Sequence, residues 1–366
     1  MKTRIGFIGA GWRARGYMRV VEEFRRRMEV SGVLVHSSQR AEQMEQEFPG
    51  KIDQDLDKFM ARGHDFVVVL VPKEAVLDYI TALMKQGIPV LSETPPGNGV
   101  AELNECYELK QTYHGKIQVT EQCFLRPYYQ AVLNLIQEGC LGRISNMGMG
   151  TLHDYHAMSI MRKTLGVGFE NCTIDAREYY FPVQYHCGRE GMHKEACDHL
   201  VKDHRKRADL VFESGKAGFY DFSDEQYFNY FRTRHMYVRG ELGEIYDYDV
   251  AFLGEQKLPV LGRIARDELG QYENLEGCGL RGLTLHGRPV YQNPYWEEDV
   301  RLNDDEIAMA GMLDGMARYA AGGEEIYPLK EALQDTYLHL TLDESIRQGR
   351  PMTTTTQNWA RQADRP

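Results

Sequence analysis

The sequence lacks the features that would mark a membrane protein or a nucleic-acid-binding protein. It has no run of about 18 apolar residues, the length that a membrane-spanning helix needs. It also has no excess of positive charge, since 43 Lys and Arg stand against 54 Asp and Glu and give a formal net charge of −11. Nucleic acids and anionic membrane surfaces both require a basic footprint. We therefore expect neither as a partner.

Cysteine is also scarce and shows no pairing pattern. The chain has 7 cysteines, an odd number, and no Cys-x-x-Cys pair. Free thiols in a reducing compartment are the simplest explanation. The first residues run directly into a predicted strand and a glycine turn, without the apolar region of a secretory signal. These features together predict a cytoplasmic protein.

What the sequence does contain is an alternation of strands and helices in its N-terminal third. Arg4–Ile8 and Val30–Val35 have the apolar pattern of strands, and Trp12–Met28 between them has the spacing of a helix. Phe66–Val71 is almost wholly apolar, which is typical of a strand buried on both faces. This alternation predicts an α/β fold, with a doubly wound parallel sheet in a Rossmann domain over residues 1–125.

From residue 126 onward the pattern changes. Segments that alternate in period two predict strands at Asp209–Glu213, Gly218–Phe222, His235–Arg239 and Glu244–Val250. Turn residues between some of them favour an antiparallel arrangement. We predict an α+β second domain over residues 126–352 with a largely antiparallel open sheet. A polar final helix from Pro328 to Gln348 then leads into a flexible tail over residues 353–366.

A glycine-rich turn is the strongest functional signal in the sequence. Gly9-Ala10-Gly11-Trp12-Arg13-Ala14 has the pattern Gly-x-Gly-x-x-Ala, follows a predicted strand and opens a predicted helix. In such a turn the first glycine permits the tight bend, and the second lets the backbone approach a pyrophosphate at the helix N-terminus. We therefore predict a dinucleotide cofactor, NAD or NADP, bound by Gly9, Ala10, Gly11, Trp12 and Arg13.

The end of the second predicted strand bears on which of the two cofactors is bound. An acidic residue at this point usually binds the ribose 2′-hydroxyl of NAD. The segment from Val35 has no carboxylate and offers His36, Ser37 and Arg40 instead. These side chains suit a 2′-phosphate and favour NADP(H). In the alternative interpretation, Arg40 is only a solvated residue at the start of the next helix.

Further motifs follow the glycine turn in a fixed order. They are Gly87–Pro95, Thr120–Gln122 with Arg126-Pro127, Gly139–Ile144 and Gly240–Ile245. Their order and spacing resemble those of the glucose-fructose oxidoreductase / inositol dehydrogenase / MocA (Gfo/Idh/MocA) family over nearly the whole chain. The resemblance implies an NAD(P)-dependent oxidoreductase with further cofactor contacts at Val71, Pro72, Glu93 and Gln122. It also implies a homodimer or homotetramer that pairs through the open sheet of the second domain.

Two departures from the family pattern concern its catalytic residues. Thr94 stands where the family has a lysine that supports proton transfer, and a hydroxyl cannot offer a tunable ammonium group. The family's Asp-x-x-x-His element is incomplete, because Leu152 lies four residues before His156. The family mechanism therefore cannot be transferred to this chain unchanged.

The candidate catalytic residues lie in His153-Asp154-Tyr155-His156, at the start of a predicted helix. His153 and His156 are three residues apart and so lie on one helix face. Histidine titrates near neutral pH and is the usual general base for an alcohol proton. Because His156 falls on the family's catalytic position, we predict it as the base, with His153 and Tyr155 as the other catalytic candidates. Asp154 either orients an imidazole or caps the helix, and a purely structural histidine pair is the alternative.

A second cluster has residue types that bind metals. Its members are His186, Cys187, His193, Cys197, His199 and His204. Their spacing matches neither a zinc finger nor a His-Glu-x-x-His motif. The charged residues between them, Lys202 and Asp203 among others, indicate a solvated helix and loop. We therefore predict no metal site.

The leading functional hypothesis is hydride transfer between a pyridine nucleotide and a secondary alcohol. The substrate is then a sugar, a cyclitol or a related carbohydrate, and thus a small polyhydroxylated molecule. The loss of the motif lysine keeps an alternative open, namely a glycosidase that oxidises the sugar transiently, eliminates the aglycone and reduces the product. A third hypothesis is a catalytically silent sensor that binds the dinucleotide.

Overall fold

The computed structural model describes residues 2–188, 191–192, 199–229, 231–270 and 275–361. The helices are α1 (Trp12–Glu23), α2 (Ser38–Glu47), α3 (Leu56–Ala61), α4 (Val76–Lys85), α5 (Val100–Thr112), α6 (Pro127–Gln137), α7 (Asp154–Leu165), α8 (Asp304–Ala320), α9 (Leu329–Gln348) and α10 (Asn358–Arg361). The strands are β1 (Thr3–Ile8), β2 (Met28–Leu34), β3 (Ile52–Asp53), β4 (Phe66–Val69), β5 (Val90–Ser92), β6 (Ile117–Val119), β7 (Ile144–Met149), β8 (Cys172–Gln184), β9 (Cys187–Gly188), β10 (Gly191–Met192), β11 (Leu200–Phe212), β12 (Ala217–Ser223), β13 (Met236–Gly240), β14 (Gly243–Tyr246), β15 (Asp249–Leu253), β16 (Pro259–Glu268), β17 (Leu280–Leu285), β18 (Arg288–Gln292) and β19 (Met352–Thr353). Among the helices so described, none is both long and apolar enough for a membrane crossing.

The chain divides into two compact units. The first unit comprises residues 1–130, 266–282 and 291–333, and the second comprises residues 131–265, 283–290 and 334–366. The segments 266–282 and 291–333 therefore belong to the same unit as the N-terminal third, whereas the sequence analysis assigns them to the second domain.

The first unit contains a six-stranded sheet in the order β3-β2-β1-β4-β5-β6, and all of its pairings are parallel. The strand order reverses between β1 and β4, which is the switch point of a doubly wound sheet. The four residues of β4 have no exposed surface, as expected for a central strand covered by helices on both faces. The predicted Rossmann-type parallel sheet is confirmed.

Helix α1 ends at Glu23 rather than at the predicted Met28. Met28 already pairs with Thr3 in the parallel register of β1 and β2. The sheet pairing therefore takes over residues whose apolar spacing also suits a helix. The basic run Arg25–Arg27 lies in the turn between the two elements.

The second unit is built on an eleven-stranded sheet in the order β18-β17-β16-β15-β14-β13-β7-β12-β11-β8-β19. The pairing of β12 with β7 is parallel, while β11 pairs antiparallel with both β8 and β12, and β13 through β16 form an antiparallel series. The predicted α+β domain with a largely antiparallel sheet is confirmed. One predicted strand, Glu244–Val250, is in fact the two strands β14 and β15, because Asp247 adopts a left-handed φ of 50° and turns the chain.

The segment around Lys202 and Asp203 is a strand, and its prediction as a solvated helix and loop is wrong. Both residues lie in β11, where they pair with Pro182 and Phe181 of β8. Asp203 is almost fully buried and accepts a hydrogen bond from Ser223 at 2.6 Å. Charged residues usually indicate a solvated segment. Here a strand forms because β8 pairs with the segment and Ser223 of β12 satisfies the carboxylate of Asp203.

The C-terminal segment 353–361 is packed, so the prediction of a flexible tail from residue 353 does not hold for this part. Thr353 belongs to β19, which pairs with β8. Trp359 in α10 has no exposed surface, and its indole N–H donates to Gln334 at 3.0 Å. Burial of a tryptophan with a satisfied N–H anchors the segment. Residues 362–366 lie outside the described part of the chain.

Helix α7 contains the candidate catalytic residues Tyr155 and His156 and directly follows His153, and a buried ion pair fixes its position in the second unit. Arg162 of α7 contacts Asp335 of α9 at 2.6 Å, and both side chains are almost fully buried. The same guanidinium donates to the carbonyl of Gly168 just beyond the helix. Gly166, with a left-handed φ of 62°, ends the helix. This arrangement sets the direction in which the first turn of α7 points.

Candidate active site

The glycine turn at the start of α1 contains two glycines that are required for different reasons. Gly9 has a φ of 102°, and a Cβ placed on it would lie 2.2 Å from the carbonyl oxygen of Leu70. Gly11 has an ordinary φ of −72°, and a Cβ placed on it would meet nothing within 4 Å. Contacts within the described part of the chain therefore require a glycine at position 9. They do not require one at position 11, where the space in front of the backbone is open. An open cradle at a helix N-terminus is what a pyrophosphate needs.

The side chains that follow Gly11 differ in where they lie. Ala10 is buried, while Trp12, the first residue of α1, is 63% exposed. Arg13 contacts Asp305 at 3.1 Å and lies over the ring of Tyr17 at 5.5 Å. Arg13, predicted as a cofactor contact, is thus already part of an ion pair within the first unit.

Asp305 is the centre of a charge cluster in the first unit. Its carboxylate accepts hydrogen bonds from Arg126 at 2.7 and 2.9 Å and from the amide of Gln122 at 3.4 Å, in addition to the Arg13 contact. Burial alone would raise the pKa of Asp305, but Arg126 and Arg13 outweigh it and hold the pKa below its ordinary value. None of the sequence motifs indicates Asp305. A local signal was available, because Asn303 and Glu306 form a capping box that marks the start of α8.

Two predicted cofactor contacts, Glu93 and Gln122, follow the carboxyl ends of β5 and β6. Burial raises the pKa of Glu93, partly offset by Arg13 and by the hydroxyl of Thr120, which donates to the carboxylate at 3.0 Å. The side chain of Gln122 is 1% exposed, and its Oε1 has no hydrogen-bond partner among the described residues. A buried acceptor without a partner is costly, so it fits a ligand donor such as a carboxamide N–H.

The residues predicted to contact the ribose follow β2 and are exposed to solvent. The hydroxyl of Ser37 caps α2 by accepting from the backbone N–H of Arg40 at 3.4 Å. The guanidinium of Arg40 donates to Gln43 at 3.0 Å, and His36 hydrogen-bonds to the hydroxyl of Tyr79 on α4. No local sequence pattern indicates the contact of Tyr79 with His36, because the two residues are distant in sequence.

The remaining predicted contacts follow β4, the strand at the switch point. Val71 is half-buried, and Pro72 is exposed and precedes a short 3-10 turn. In a doubly wound sheet, ligands bind outside the carboxyl ends of the strands at the switch point. The predicted cofactor contacts of the first unit thus all follow carboxyl ends of its strands or begin the helices after them.

In the second unit, the structure brings the three predicted catalytic residues together. The rings of His153 and His156 have centroids 5.0 Å apart, and those of Tyr155 and His156 are 4.6 Å apart. His153 also lies near the rings of Phe222 and Tyr227, at 5.9 and 5.6 Å. All three predicted residues are half-buried. His153 immediately precedes α7 and has an extended backbone, so the prediction that it shares a helix face with His156 is wrong. The two imidazoles are neighbours through the turn of the chain at Asp154, at a partly aromatic surface.

Asp154 contacts His153, its sequence neighbour, rather than capping the helix. Its Oδ2 lies 3.2 Å from Nδ1 of His153, and its backbone N–H donates to the hydroxyl of Tyr220 at 3.1 Å. Its φ of 48° is in the left-handed region, which aspartate tolerates better than most residues. Of the two interpretations that the sequence left open, the structure favours the one in which Asp154 orients an imidazole.

The charge of Asp154 is stabilised by groups that the sequence analysis did not identify. Lys206 of β11 and His339 of α9 lie 3.8 and 3.5 Å from its Oδ1. Burial alone would raise the pKa of Asp154, but the hydrogen bond to His153 and the charges of His339, His153 and Lys206 hold it well below its ordinary value. No local pattern connects these residues, since three different elements contribute them.

The histidines considered for metal binding have other partners where they are described. His204 is 2.9 Å from Glu178 and stacks on Tyr180, and His199 stacks on Tyr185. His193 and Cys197 lie outside the described residues.

Residues 3–121 match the model of a family described as the oxidoreductase family with an NAD-binding Rossmann fold, GFO_IDH_MocA. This segment is a Rossmann domain of that oxidoreductase family. The resemblance inferred from the motifs and the assignment to the oxidoreductase class are confirmed. No curated protein matches the chain.

Solved structures of oxidoreductases share the fold along the whole chain. One, from Agrobacterium radiobacter in complex with NAD+, L-tartaric acid and magnesium, has 14% identity and a TM-score of 0.70 and covers 96% of this chain and 98% of its own. The aldose-aldose oxidoreductase of Caulobacter crescentus, complexed with glycerol, has 14% identity, a TM-score of 0.66 and coverages of 97% and 100%. The scyllo-inositol dehydrogenase of Lactobacillus casei has 13% identity, a TM-score of 0.66 and coverages of 96% and 98%. At these identities the similarity establishes the fold.

The open space at Gly11 generates a direct test of dinucleotide binding. Gly11→Val should abolish the binding of NADH and NADPH, because the side chain fills the approach to the helix N-terminus. Gly99→Val is a matched control, since Gly99 caps α5 in an extended conformation and a Cβ there also meets nothing within 4 Å. Both variants should fold, and calorimetry should show the loss only for Gly11→Val. Undiminished binding in folded Gly11→Val would contradict the assignment.

Proposed function

We propose that this protein is an NAD(P)-dependent oxidoreductase that oxidises or reduces a secondary alcohol of a sugar, cyclitol or related carbohydrate. The observation that carries the proposal is the pair of imidazoles at the N-terminal end of α7 beside an ionised carboxylate, in a chain whose first unit contains an oxidoreductase Rossmann domain. An alcohol needs a base for its proton, and two adjacent imidazoles suit a polyhydroxylated substrate. The names of the similar structures, which include an inositol dehydrogenase and an aldose-aldose oxidoreductase, support the substrate class.

The same comparisons favour an oxidoreductase over the two alternatives left open by the sequence. The similar structures are described as oxidoreductases or dehydrogenases. No contact in the described part of the chain points specifically to a glycosidase or to a silent sensor. Thr94 is one of the two features that separate this chain from the family pattern, and its side chain is buried.

The residues of the first unit would hold the cofactor, which when bound supplies the hydride acceptor or donor. The backbone of Gly9–Gly11 and the N-terminus of α1 suit the pyrophosphate. Glu93 and the buried Oε1 of Gln122, which has no hydrogen-bond partner in the described part of the chain, suit the carboxamide end. In the second unit, neutral His156 accepts the hydroxyl proton as the carbon–hydrogen bond of the alcohol breaks. In the direction of reduction, the imidazolium returns that proton.

His156 is the residue on which this mechanism depends. His156→Asn keeps a polar side chain and should leave folding and cofactor binding intact, while turnover falls by a factor of about a hundred to ten thousand. The pH profile of turnover should also lose its limb near neutrality, which reports the titration of an imidazole. Steady-state assays of NAD(P)H formation over a panel of sugars and cyclitols measure both effects.

His286→Asn serves as the control, because His286 is exposed in a turn of the second unit. Its φ of 53° is one that asparagine adopts readily. Wild-type turnover in His156→Asn, with loss of activity in His153→Asn, would reverse the two roles. Full activity in both variants would place the base elsewhere, with Tyr155 and Tyr129 as the next candidates.

We further propose that the cofactor is NADP(H). The support is the absence of a carboxylate from the segment after β2, where exposed His36, Ser37 and Arg40 lie instead. A guanidinium forms strong, charge-assisted hydrogen bonds with phosphate oxygens. Loss of such a contact should weaken binding by about tenfold or more.

Arg40→Gln should therefore weaken NADPH binding by about tenfold and leave NADH binding unchanged. Arg26→Gln is the control, since Arg26 is a highly exposed arginine of the first unit, in the turn after α1. Calorimetric titration of both variants with both cofactors separates the two effects. Tighter binding of NADH than of NADPH by the wild-type protein would contradict the proposal.

We also propose that the protein forms a homodimer or homotetramer through the sheet of the second unit. Three consecutive residues of β8, Tyr179, Tyr180 and Phe181, are 42%, 48% and 47% exposed. Consecutive residues of a strand point to opposite faces, so both faces of this strand expose aromatic rings. Exposed apolar surface of this kind is typical of an interaction site.

Sedimentation at micromolar concentration should therefore show a species at least twice the 42.2 kDa of one chain. Phe181→Lys should shift the protein toward the monomer, because a charge replaces apolar contact area. Tyr113→Lys is the matched control, since Tyr113 is similarly exposed but belongs to the first unit. A wild-type protein that sediments only as a monomer would contradict the proposal.

A further inference from the structure

Four side chains of the second unit form a closed ring in which negative and basic groups alternate. Asp154 of α7, Lys206 of β11, and His339 and Asp343 of α9 are its members. Lys206 Nζ lies 3.8 Å from Asp154 Oδ1 and 2.7 Å from Asp343 Oδ1. His339 lies between the same two carboxylates, with Nδ1 3.5 Å from Asp154 and Nε2 3.3 Å from Asp343. Two basic groups thus connect the same pair of carboxylates.

The ring contacts only one oxygen of Asp154 and leaves the other for His153. Lys206 and His339 approach Oδ1, whereas Nδ1 of His153 lies 3.2 Å from Oδ2. The backbone N–H of Asp154 is held separately by the hydroxyl of Tyr220. Contacts on both oxygens therefore fix the carboxylate. Its Oδ2 faces Nδ1 of His153.

The charges around the ring favour an ionised Asp154. Burial lowers the pKa of His339 despite the two carboxylates, while Asp154 and Asp343 outweigh burial and raise the pKa of Lys206. Lys206 is thus the permanent cation of the ring. Asp224 is a further acidic group near it, and the buried hydroxyl of Tyr220 has a raised pKa and remains neutral.

The backbone of Asp154 shows that its position is imposed by these contacts. A φ of 48° is unfavourable for a residue with a side chain, and a helix can begin without it. The left-handed conformation persists here because Lys206, His339, Tyr220 and His153 all contact this residue. Three of these contacts hold the carboxylate, and the fourth satisfies the backbone N–H of the first residue of α7.

We propose that Asp154, held by Lys206 and His339, is the positioning residue that fixes His153 with its proton on Nδ1, so that Nε2 accepts a hydrogen bond from a substrate hydroxyl. This inference rests on the proposed function, because it assumes an alcohol substrate at the imidazole pair. His156 then takes the reacting proton, and His153 binds a second hydroxyl. The substrate class narrows to molecules with two neighbouring hydroxyls.

The first experiment reads the tautomer of His153 directly. In protein labelled with 13C and 15N on histidine, the His153 resonance, assigned by its loss in His153→Gln, should show the Nδ1–H form. Asp154→Asn should convert it to a mixture of tautomers, because an amide accepts and donates equally well. KM for the alcohol should rise by about tenfold, the loss of one hydrogen bond, with a smaller change in kcat.

The second experiment tests whether the ring acts through Asp154. Lys206→Met should raise KM in the same direction, and Lys206→Arg should restore it. Lys216→Met is the matched control, since Lys216 also holds α7, but by donating to the carbonyl of Leu165 at the other end of the helix. A purely structural role of lysine contacts to α7 would affect both variants alike. If Lys206 acts through Asp154, KM rises in Lys206→Met and stays unchanged in Lys216→Met.

The outcomes separate this inference from the proposed function. An Nε2–H tautomer in the wild-type protein, or an unchanged tautomer and KM in Asp154→Asn, would overturn the positioning role even if alcohols are oxidised. Equal effects of Lys206→Met and Lys216→Met would overturn the role of the ring. An Nδ1–H tautomer that depends on Asp154, without turnover of any alcohol, would support the positioning role and contradict the proposed function.

Discussion

The structure of the first unit depends on one close contact between backbones, that of Gly9 with the carbonyl of Leu70. A single methyl group at Gly9 would lie 2.2 Å from that oxygen. The contact joins the end of β1 to the segment after β4, the two strands on either side of the switch point. It therefore sets where α1 begins and leaves the space in front of Gly11 open. The cradle for a dinucleotide follows from this constraint.

Charge is organised differently in the two units, although each uses a carboxylate that several basic groups share. In the first unit Asp305 pairs with Arg13 and Arg126, and all three side chains are half-buried. In the second unit Asp154 is shared between Lys206, His339 and an imidazole of the candidate site. In both cases the basic groups outweigh burial and keep the carboxylate ionised. A fixed anion of this kind orients whatever donor lies beside it.

The absence of the family's motif lysine can be compared with the presence of a lysine, Lys206, beside Asp154 in the second unit. Thr94 offers no positive charge at the end of β5. The second unit has a lysine, Lys206, that lies 3.8 Å from one oxygen of Asp154, and the other oxygen of Asp154 contacts His153. Asp154 also lies two residues from Leu152, the position that breaks the Asp-x-x-x-His pattern. The chain thus places a carboxylate beside an imidazole in a local geometry that differs from the Asp-x-x-x-His pattern.

The sequence by itself determined the features that depend on neighbours along the chain. Strand–helix alternation predicted the parallel sheet, period-two segments predicted the antiparallel sheet, and the glycine turn predicted the start of α1. Tertiary structure decided whatever depends on partners distant in sequence. Met28 joins a strand because Thr3 pairs with it, and Lys202 and Asp203 form a strand because β8 lies beside them. Asp305, Lys206 and His339 reach their sites only after long segments have folded back, and no local pattern of hydrophobicity or charge encodes such distances.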